Sequence, residues 1–268
     1  MPPRRTSSHH LMVREHSRKN YAALNGITFI QANLQKRLPA LDSLLSFMLT
    51  QPKDIILIQE PPALNETTIL KITHDLQYHI SGYNIQNDTV HSDSPRALVL
   101  SKIELNALGN RDLCNRDVAS IELPISRNTH ITISSVYFDQ NKPPEESLSI
   151  LTSSPAWMSS RKIVGADVNA TSPLWSGGTE VENGTRNRSR GLEIERFLIA
   201  NNISILNSES HLPTFTGSGH ASYIDASMAS DGIAELVSEW KVVVLENRFS
   251  YHRWISFNFN CSTPPLRE

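Results

Sequence analysis

The sequence predicts a strand-rich α/β sandwich, in which two β-sheets pack together and helices cover their outer faces. Short apolar or alternating segments, which are typical of strands, recur along the chain, whereas few segments have helical spacing. The chain also contains no internal repeat and no GxGxxG or Walker pattern. A doubly wound nucleotide-binding fold is therefore not supported.

The first half of the chain supplies most of the predicted strands. Residues 26–34 (GITFIQANL) predict a first strand, and residues 54–60 (DIILIQE) predict a strand that is buried on both faces. A predicted helix lies between them, with an apolar stripe formed by Leu41, Leu44, Leu45 and Met48. Further strands are predicted at residues 96–102, 117–123 and 129–138.

The second half continues the alternation of strands and helices. Residues 162–170 (KIVGADVNA) predict a buried strand that runs into a loop. A helix is predicted to follow Gly191, which is taken as a helix breaker, and its apolar positions are Leu192, Ile194, Phe197 and Leu198. Strands are then predicted within residues 203–207, 221–229 and 253–259.

Length and composition fit one large soluble-type domain or two small ones, because 268 residues with 39% hydrophobic content can bury a sizeable core. Two cysteines are too few for a disulfide framework, which favours a reducing, intracellular compartment. The net charge of −2 means that affinity for nucleic acid must come from local patches. No apolar run approaches the roughly 18 residues of a membrane helix.

The two ends of the chain differ from the predicted domain at residues 26–260. Residues 1–25 are basic and lack the apolar centre of a secretory signal, so they predict a disordered leader. A basic arm that contacts phosphates is the alternative for this segment. Residues 261–268 predict a tail or linker.

Seven polar residues lie at or just beyond the ends of predicted strands. In layered sheet proteins such ends gather at one rim, where loops carry chemistry on a rigid scaffold. Together they offer carboxylates for a hard cation, an Asp and a His able to pair, and amide or phenol donors for an anion. They are Asn33, Glu60, Tyr137, Asp167, Asn169, Asp225 and His252.

Each residue also has a structural interpretation. Glu60 is a candidate Mg²⁺ ligand, and Asn33 could orient its carboxylate or join the metal shell. Alternatively, Glu60 is a surface carboxylate that marks where the strand emerges, and Asn33 is an ordinary turn asparagine. Asp167 and Asn169 face the same way in an extended segment and could hold an attacking water, or else form an Asx turn. If Tyr137 has no functional role, it is a half-buried core tyrosine.

Asp225 and His252 form the last candidate pair. A carboxylate between apolar neighbours, as at Asp225, is costly to bury without a partner. A histidine is a natural partner, because the carboxylate fixes the tautomer of the ring and favours its protonated form, which can bind phosphate oxygens. The alternative is that His252 is a satisfied histidine on a strand edge.

Over residues 27–257 the chain resembles the endonuclease–exonuclease–phosphatase family, and within it the endonuclease domain of insect non-LTR retrotransposons, which is similar to apurinic/apyrimidinic endonucleases. The resemblance implies a DNase I-like, four-layered sandwich of two mostly antiparallel or mixed sheets. The segments that carry it, in family order, are QANLQK, DIILIQEPP, RALVLS, ISSVYFD, GADVNATSPLW, RGLEIERFL, LPTFTG, SYIDASMAS and HRWISF.

The family resemblance implies a function and its partners. The expected activity is Mg²⁺-dependent nicking of double-stranded DNA, with Mn²⁺ as an alternative metal. The nick leaves a 3′-hydroxyl that primes reverse transcription by a downstream reverse transcriptase domain of the parent polyprotein. No membrane partner is implied, and the site of action would be the nucleus.

The resemblance also implies roles for the seven residues. Asn33 and Glu60 match the metal-site residues, Tyr137 the tyrosine that contacts the scissile phosphate, and Asp167 with Asn169 the pair that activates water or assists the leaving oxygen. Asp225 matches the carboxylate that orients the catalytic histidine, and His252 matches that histidine. The predicted DNA-binding residues are Thr214, Phe215, Ser222 and Tyr251.

One departure bears on activity. The family pattern before the histidine is Ser-Asp-His, whereas this chain has Ser250, Tyr251 and His252. A tyrosine brings no charge at neutral pH, so weaker metal binding and turnover are expected. A decayed copy that binds DNA without cutting it, and a family phosphoesterase acting on a small phosphoester or lipid headgroup, are the alternative functions.

Overall fold

The computed structural model describes residues 26–82, 85–86, 89–90, 94–126, 128–177, 185–209, 212–217, 219–245 and 249–261. The predicted leader at residues 1–25 and residues 262–268 of the predicted tail lie outside this part of the chain. The domain boundaries at residues 26 and 260 therefore stay predictions. In the described part of the chain, no helix is long and apolar enough to cross a membrane.

The described elements alternate between short strands and helices along the chain. The helices are α1 Leu38–Thr50, α2 Glu66–Leu70, α3 Pro144–Ser153, α4 Pro155–Ser159, α5 Thr185–Ala200 and α6 Asp231–Ala234. The strands are β1 Ile27–Asn33, β2 Ile55–Gln59, β3 Tyr78–Gly82, β4 Ile85–Gln86, β5 Thr89–Val90, β6 Ala97–Lys102, β7 Leu108–Gly109, β8 Val118–Ser126, β9 Thr129–Tyr137, β10 Arg161–Asp167, β11 Ile203–Ile205, β12 Phe215–Gly217, β13 His220–Ser222, β14 Asp225–Ser230, β15 Val237–Val243 and β16 Trp254–Phe259.

Two six-stranded mixed sheets form the centre of the molecule. The first has the order β15-β16-β1-β2-β6-β3, and the second has the order β11-β14-β10-β9-β8-β7. Parallel pairs, β1 with β2 and β9 with β10, lie at the middle of each sheet, and the pairs around them are antiparallel. Helices flank both sheets, so the predicted four-layered sandwich is confirmed.

Three apolar clusters fill the spaces between the four layers. The first lies between the two sheets and includes Ile55, Leu57 and Ile163, as well as Phe29, whose ring stacks on Phe257 at 4.6 Å between centroids. A second cluster packs α1 against the outer face of the first sheet. A third packs α3, α4 and α5 against the outer face of the second sheet. Burial on both faces explains why β2 is apolar nearly throughout.

The structure corrects two predicted elements. The predicted strand at 221–229 is two strands, β13 and β14, separated at Tyr223 and Ile224. The predicted helix does not begin after Gly191, because α5 runs through this residue from Thr185. A Cβ at Gly191 would lie 2.1 Å from the carbonyl oxygen of Thr171, so the glycine serves a close backbone approach and not a helix break.

Gly165 of β10, two residues before Asp167, allows the two sheets to approach each other closely. A Cβ at this position would lie 2.6 Å from Leu57 Cδ1 and 2.8 Å from Gln31 Oε1. We expect Gly165→Ala to lower the free energy of unfolding by about 1–3 kcal/mol, because the added methyl group overpacks a filled interior. Chemical denaturation measures this. Gly232→Ala, where a Cβ meets no atom within 4 Å, is the matched control and should cause no loss.

Candidate active site

The predicted residues of the second sheet form a row across three neighbouring strands. Asp167 is the last residue of β10, and its register partners are Tyr137 at the end of β9 and Asp225 at the start of β14. All three side chains are buried. The strand order therefore brings together residues that are up to 88 positions apart, from Tyr137 to Asp225 (225 − 137 = 88).

The first sheet supplies the facing residues. Asn33 ends β1, and Glu60 follows β2, its parallel neighbour. Glu60 has a left-handed backbone with φ 46°, and its carbonyl oxygen accepts a hydrogen bond of 2.7 Å from the backbone N–H of Lys36. The half-buried Glu60 carboxylate thus leaves the end of a fully buried strand through a backbone conformation that is uncommon for a non-glycine residue.

Asp167 is held at both carboxylate oxygens. Its Oδ2 accepts a hydrogen bond of 2.7 Å from Asn33 Nδ2, across the gap between the sheets. Its Oδ1 accepts one of 3.0 Å from the backbone N–H of Asn169, whose own side chain donates to the carbonyl oxygen of Phe138. Burial, followed by the charge of Asp225, raises the pKa of Asp167 to about 7, a value suited to a general base at neutral pH.

His252 is paired with Asp225, as the sequence predicts. The Nδ1 atom lies 2.9 Å and 3.1 Å from the two oxygens of Asp225. Burial opposes a charged ring, but the nearby carboxylates, first of all Asp225, outweigh it and raise the pKa of His252 to about 9. The imidazole is therefore positively charged at neutral pH, with Nδ1 engaged by Asp225 and Nε2 as its second N–H donor.

Tyr137 is held by a buried ion-pair network. Its ring lies below the guanidinium of Arg96, whose Cζ is 4.9 Å from the ring centroid. Arg96 donates to both carboxylate oxygens of Asp117 and, over 2.7 Å, to Asp139. Burial, with the charges of Glu60 and Asp167, raises the pKa of Tyr137, so its phenol remains a hydrogen-bond donor throughout the neutral range.

Removing Arg96 should destabilise the protein. Its side chain is 11% exposed, so Arg96→Met leaves the carboxylate of Asp117 buried without its cation. Breaking a buried pair in this way costs about 3–5 kcal/mol, which urea denaturation would detect as a lower midpoint. Lys142→Met is the control, because the Lys142–Glu146 pair is solvent-exposed and its loss should not move the midpoint measurably.

The donor atoms at this rim fit a divalent cation. The side chains of Asp167, Asp225 and His252 each offer a ligand atom within 4.8 Å of one another, which is a possible acidic metal site. The protonated ring of His252 is a poor ligand, however, because metal ions bind the neutral imidazole. The half-buried Glu60, which follows the strand paired with that of Asn33, also has carboxylate oxygens, and oxygen donors suit a hard cation.

The predicted DNA-binding residues have different environments. Thr214 is fully buried, and its hydroxyl accepts hydrogen bonds from the backbone of Ile224 and Asp225 at the start of β14. Its contact with DNA stays a prediction. Phe215 and Ser222 are half-buried register partners in the β12–β13 hairpin, and the Phe215 ring packs edge-on against His252 at 5.0 Å.

Tyr251 lies at the surface beside His252, with 42% of the residue exposed. Its ring covers Gly217 of the hairpin, where a Cβ would be 2.9 Å from Tyr251 Cγ. The guanidinium of Arg37 lies over the same ring, 4.7 Å from its centroid. The tyrosine therefore packs between the hairpin and the β1–α1 loop and supplies no carboxylate.

Several residues that support the site were missed by sequence reasoning. Ser250 donates to the carbonyl oxygen of Asn33 over 2.8 Å and accepts from the backbone N–H of His252, so it ties the histidine to β1. Arg190 donates to the carbonyl oxygen of Asn169. The available signal was a polar or charged residue at the edge of an apolar strand, as at Arg96, or next to a candidate residue, as at Ser250.

Parts of the chain are similar in sequence to known proteins. Residues 131–256 match the family model described as Endonuclease-reverse transcriptase. Over 81 residues, 30% of the chain, the sequence is 33% identical to a retrovirus-related Pol polyprotein from the type-1 retrotransposable element R1 of Bradysia coprophila. That match spans 8% of the polyprotein, so the chain is similar to a small part of it.

Solved structures show the same fold. The endonuclease domain of TRAS1, a telomere-specific non-LTR retrotransposon, superposes with a TM-score of 0.68 at 24% identity, over 90% of this chain and 100% of that one. An AP endonuclease from Leishmania major superposes with a TM-score of 0.64 at 12% identity, over 88% of each chain.

The chain shares its fold with an endonuclease domain and an AP endonuclease of known structure, and just under half of it matches the Endonuclease-reverse transcriptase family model. In sequence and in fold the chain resembles proteins of non-LTR retrotransposons, and the resemblance predicted from the sequence is confirmed.

Proposed function

We propose that the chain is a Mg²⁺-dependent endonuclease that nicks double-stranded DNA and leaves a 3′-hydroxyl for reverse transcription by a separate domain of the parent polyprotein. The observation that carries the proposal is the buried cluster of Asp167, Asp225 and His252, which Asn33 joins from the opposite sheet. Nuclear DNA is the proposed target.

The roles of the side chains follow from their protonation states. Asp167, with a pKa near neutrality, accepts a proton from the attacking water. The Nε2–H of the imidazolium of His252 and the phenol of Tyr137 donate to phosphate oxygens as negative charge grows on them. Cleavage of the bond between phosphorus and the 3′ oxygen leaves a 5′-phosphate and a 3′ alkoxide, which takes a proton from the solvent to become the 3′-hydroxyl, and Asp167 then returns its own proton to the solvent.

The proposed metal would be held by Glu60 and the side chain of Asn33, with Asp167 close by. A divalent cation at that position supplies Lewis-acid stabilisation of the phosphate charge. The amide of Asn33 donates to Asp167 through Nδ2 and accepts from the backbone of Gln35 through Oδ1, so its plane is already fixed.

Relaxation of supercoiled plasmid with and without Mg²⁺ tests the proposal. We expect nicked circles only with the metal, and none with His252→Ala. The nicked ends should be extended directly by a DNA polymerase, which requires a free 3′-hydroxyl. Equal relaxation by wild-type protein and His252→Ala would contradict the proposal. Nicked ends that a polymerase extends only after phosphatase treatment would also contradict it.

A decayed, DNA-binding copy is the second candidate, and the observation that favours it is Tyr251 in place of the family aspartate. We expect Tyr251→Asp to increase nicking about tenfold at limiting Mg²⁺, because a carboxylate is added beside the site. Tyr251→Asn introduces an uncharged side chain of nearly the same size as aspartate and should not increase nicking. If Tyr251→Asp nicks DNA and the wild-type protein does not, the chain is the decayed, DNA-binding copy.

A further inference from the structure

A layer of buried polar side chains lies between the active site and the apolar core of the two sheets. Gln31 of β1 comes two residues before Asn33, Gln59 of β2 immediately precedes Glu60, and Ser135 of β9 comes two residues before Tyr137. Residues two apart in a strand point to the same face. Ser227 of β14 completes the layer, and all four side chains are buried.

Hydrogen bonds of this layer connect the two sheets. Gln59 Nε2 donates to Ser135 Oγ over 2.9 Å and to the carbonyl oxygen of Gly165 over 3.1 Å. Ser135 Oγ returns a hydrogen bond of 2.8 Å to the carbonyl oxygen of Ile58. The strand that carries Glu60 is thereby joined to the strands that carry Tyr137 and Asp167.

A second amide repeats the connection one strand away. Gln31 Nε2 donates to the carbonyl oxygen of Ala166 over 3.1 Å, and Ser227 Oγ donates to Gln31 Oε1 over 2.9 Å. The two amides thus hold consecutive peptide groups of β10, at Gly165 and Ala166, immediately before Asp167. Apolar contacts elsewhere between the sheets fix no such registration, because they have no direction.

The registration matters because the active site is divided between the sheets. Asn33 and Glu60 belong to the first sheet, whereas Tyr137, Asp167 and Asp225 belong to the second. The 2.7 Å hydrogen bond between Asn33 and Asp167 spans the two, and a shift of one sheet along the other would break it. Directional bonds below the site oppose such a shift.

We propose that Gln59, with Gln31, is a positioning residue that fixes the sheets against each other, so that the residues on the two sides of the active site meet. A glutamine at position 59 is not the choice that would stabilise the fold most. Its Oε1 is buried and has no hydrogen-bond partner among the described residues, a cost that methionine of similar size avoids. The inference rests on the proposed endonuclease function for its kinetic readout only.

Gln59→Met tests the role, with Leu57→Met as the matched control. Leu57 lies two residues earlier on the same face of β2, is fully buried, and also accepts a volume-conserving exchange. We expect Gln59→Met to keep or raise the melting temperature, to bind DNA as the wild type does, and to lose about 10–100-fold in kcat. Leu57→Met should keep the wild-type kcat.

A spectroscopic readout separates this inference from the proposed function. The side-chain amide signal of Asn33, in nitrogen–proton NMR spectra of the metal-free protein, should shift in Gln59→Met and stay in place in Leu57→Met. If the wild-type protein does not nick DNA, the proposed function fails and this signal alone decides the positioning role. An unmoved Asn33 signal, a wild-type kcat in Gln59→Met, or an equal loss in Leu57→Met would overturn it.

Ser135→Ala provides a second variant in case Gln59→Met does not fold. It removes the hydroxyl that accepts from Gln59 Nε2 and leaves the bond of that amide to Gly165 in place. We expect a smaller loss of kcat, of about threefold to tenfold, with the same direction of shift in the Asn33 signal. No change in either quantity would contradict the proposal.

Discussion

Asp167→Asn is expected to reduce nicking by about 10³-fold or more, because the variant cannot accept the proton of the attacking water. Asparagine has nearly the same shape, and its oxygen can still accept the hydrogen bond from the backbone of Asn169. Single-turnover nicking at saturating protein measures the chemical step separately from DNA binding. Asp42→Asn, an exchange at an exposed position of α1, is the control and should nick as the wild type does.

The same variant loses the hydrogen bond from Asn33 Nδ2, but its stability relative to the wild type should increase as the pH rises. The pKa of Asp167 is raised from 3.8 to about 7 by burial and by Asp225, so its ionisation opposes folding. The stability that the protonated group contributes is complete below about pH 4 and is lost as the pH rises through about 7. The stability of Asp167→Asn relative to the wild type, measured by denaturation of metal-free protein, should therefore grow across that range. A difference independent of pH would contradict this.

Asp225→Asn is expected to reduce nicking by about 10²–10⁴-fold at pH 8 and to move the pH dependence of the rate. In the wild type, Asp167 must be ionised and His252 must be protonated, which predicts a rate maximum between about pH 7 and pH 9. Asp225 raises the pKa of both groups, so its loss should shift both limbs of the profile to lower pH.

The pKa of His252 explains why the alkaline limb of the pH profile moves to lower pH. Its pKa is raised from 6.5 to about 9, so the ion pair with Asp225 stabilises the fold fully below about pH 6.5 and no longer does so above about pH 9. Without the charge of Asp225, burial favours the neutral ring, and the alkaline limb should fall towards or below pH 6.5. NMR titration of the ring checks this directly.

A matched variant at the other end of β14 distinguishes a local charge effect from a general one. Asp231→Asn removes an exposed carboxylate that accepts a hydrogen bond from Ser204, and it should leave the pH profile in place. An alkaline limb that stays near pH 9 in Asp225→Asn would show that Asp225 does not set the protonation state of His252.

The strands that carry the site residues could be predicted from the sequence because the necessary signals are local, whereas the edge strands β3 and β15 were not predicted. A run such as IILIQE or KIVGAD shows by its apolar residues where a strand lies and by its first carboxylate where it ends. Asn33, Tyr137 and Asp167 are indeed the last residues of β1, β9 and β10, and Glu60 directly follows β2. The pairing of Asp225 with His252 followed from the cost of an isolated buried carboxylate.

Local signals failed where a contact between distant segments determines the structure. The helix break predicted at Gly191 is absent. A Cβ there would lie 2.1 Å from the carbonyl oxygen of Thr171, and this close approach explains the glycine within α5. The motif around Thr214 gives no sign that its hydroxyl accepts hydrogen bonds from the backbone of Ile224 and Asp225. In both cases the partner lies on a different element, and periodicity carries no information about it.

The sequence by itself determined the strands that carry the site residues, the polar residues at their ends and, through ordered motifs, the resemblance to a family. Only the tertiary structure decided that Asn33 meets Asp167 across two sheets, that Gln31 and Gln59 hold β10 beneath them, and that Tyr251 packs on Gly217. The physical reason is that alternation along a strand fixes which face a side chain occupies. The neighbours on that face depend on strand order and on the packing of the two sheets.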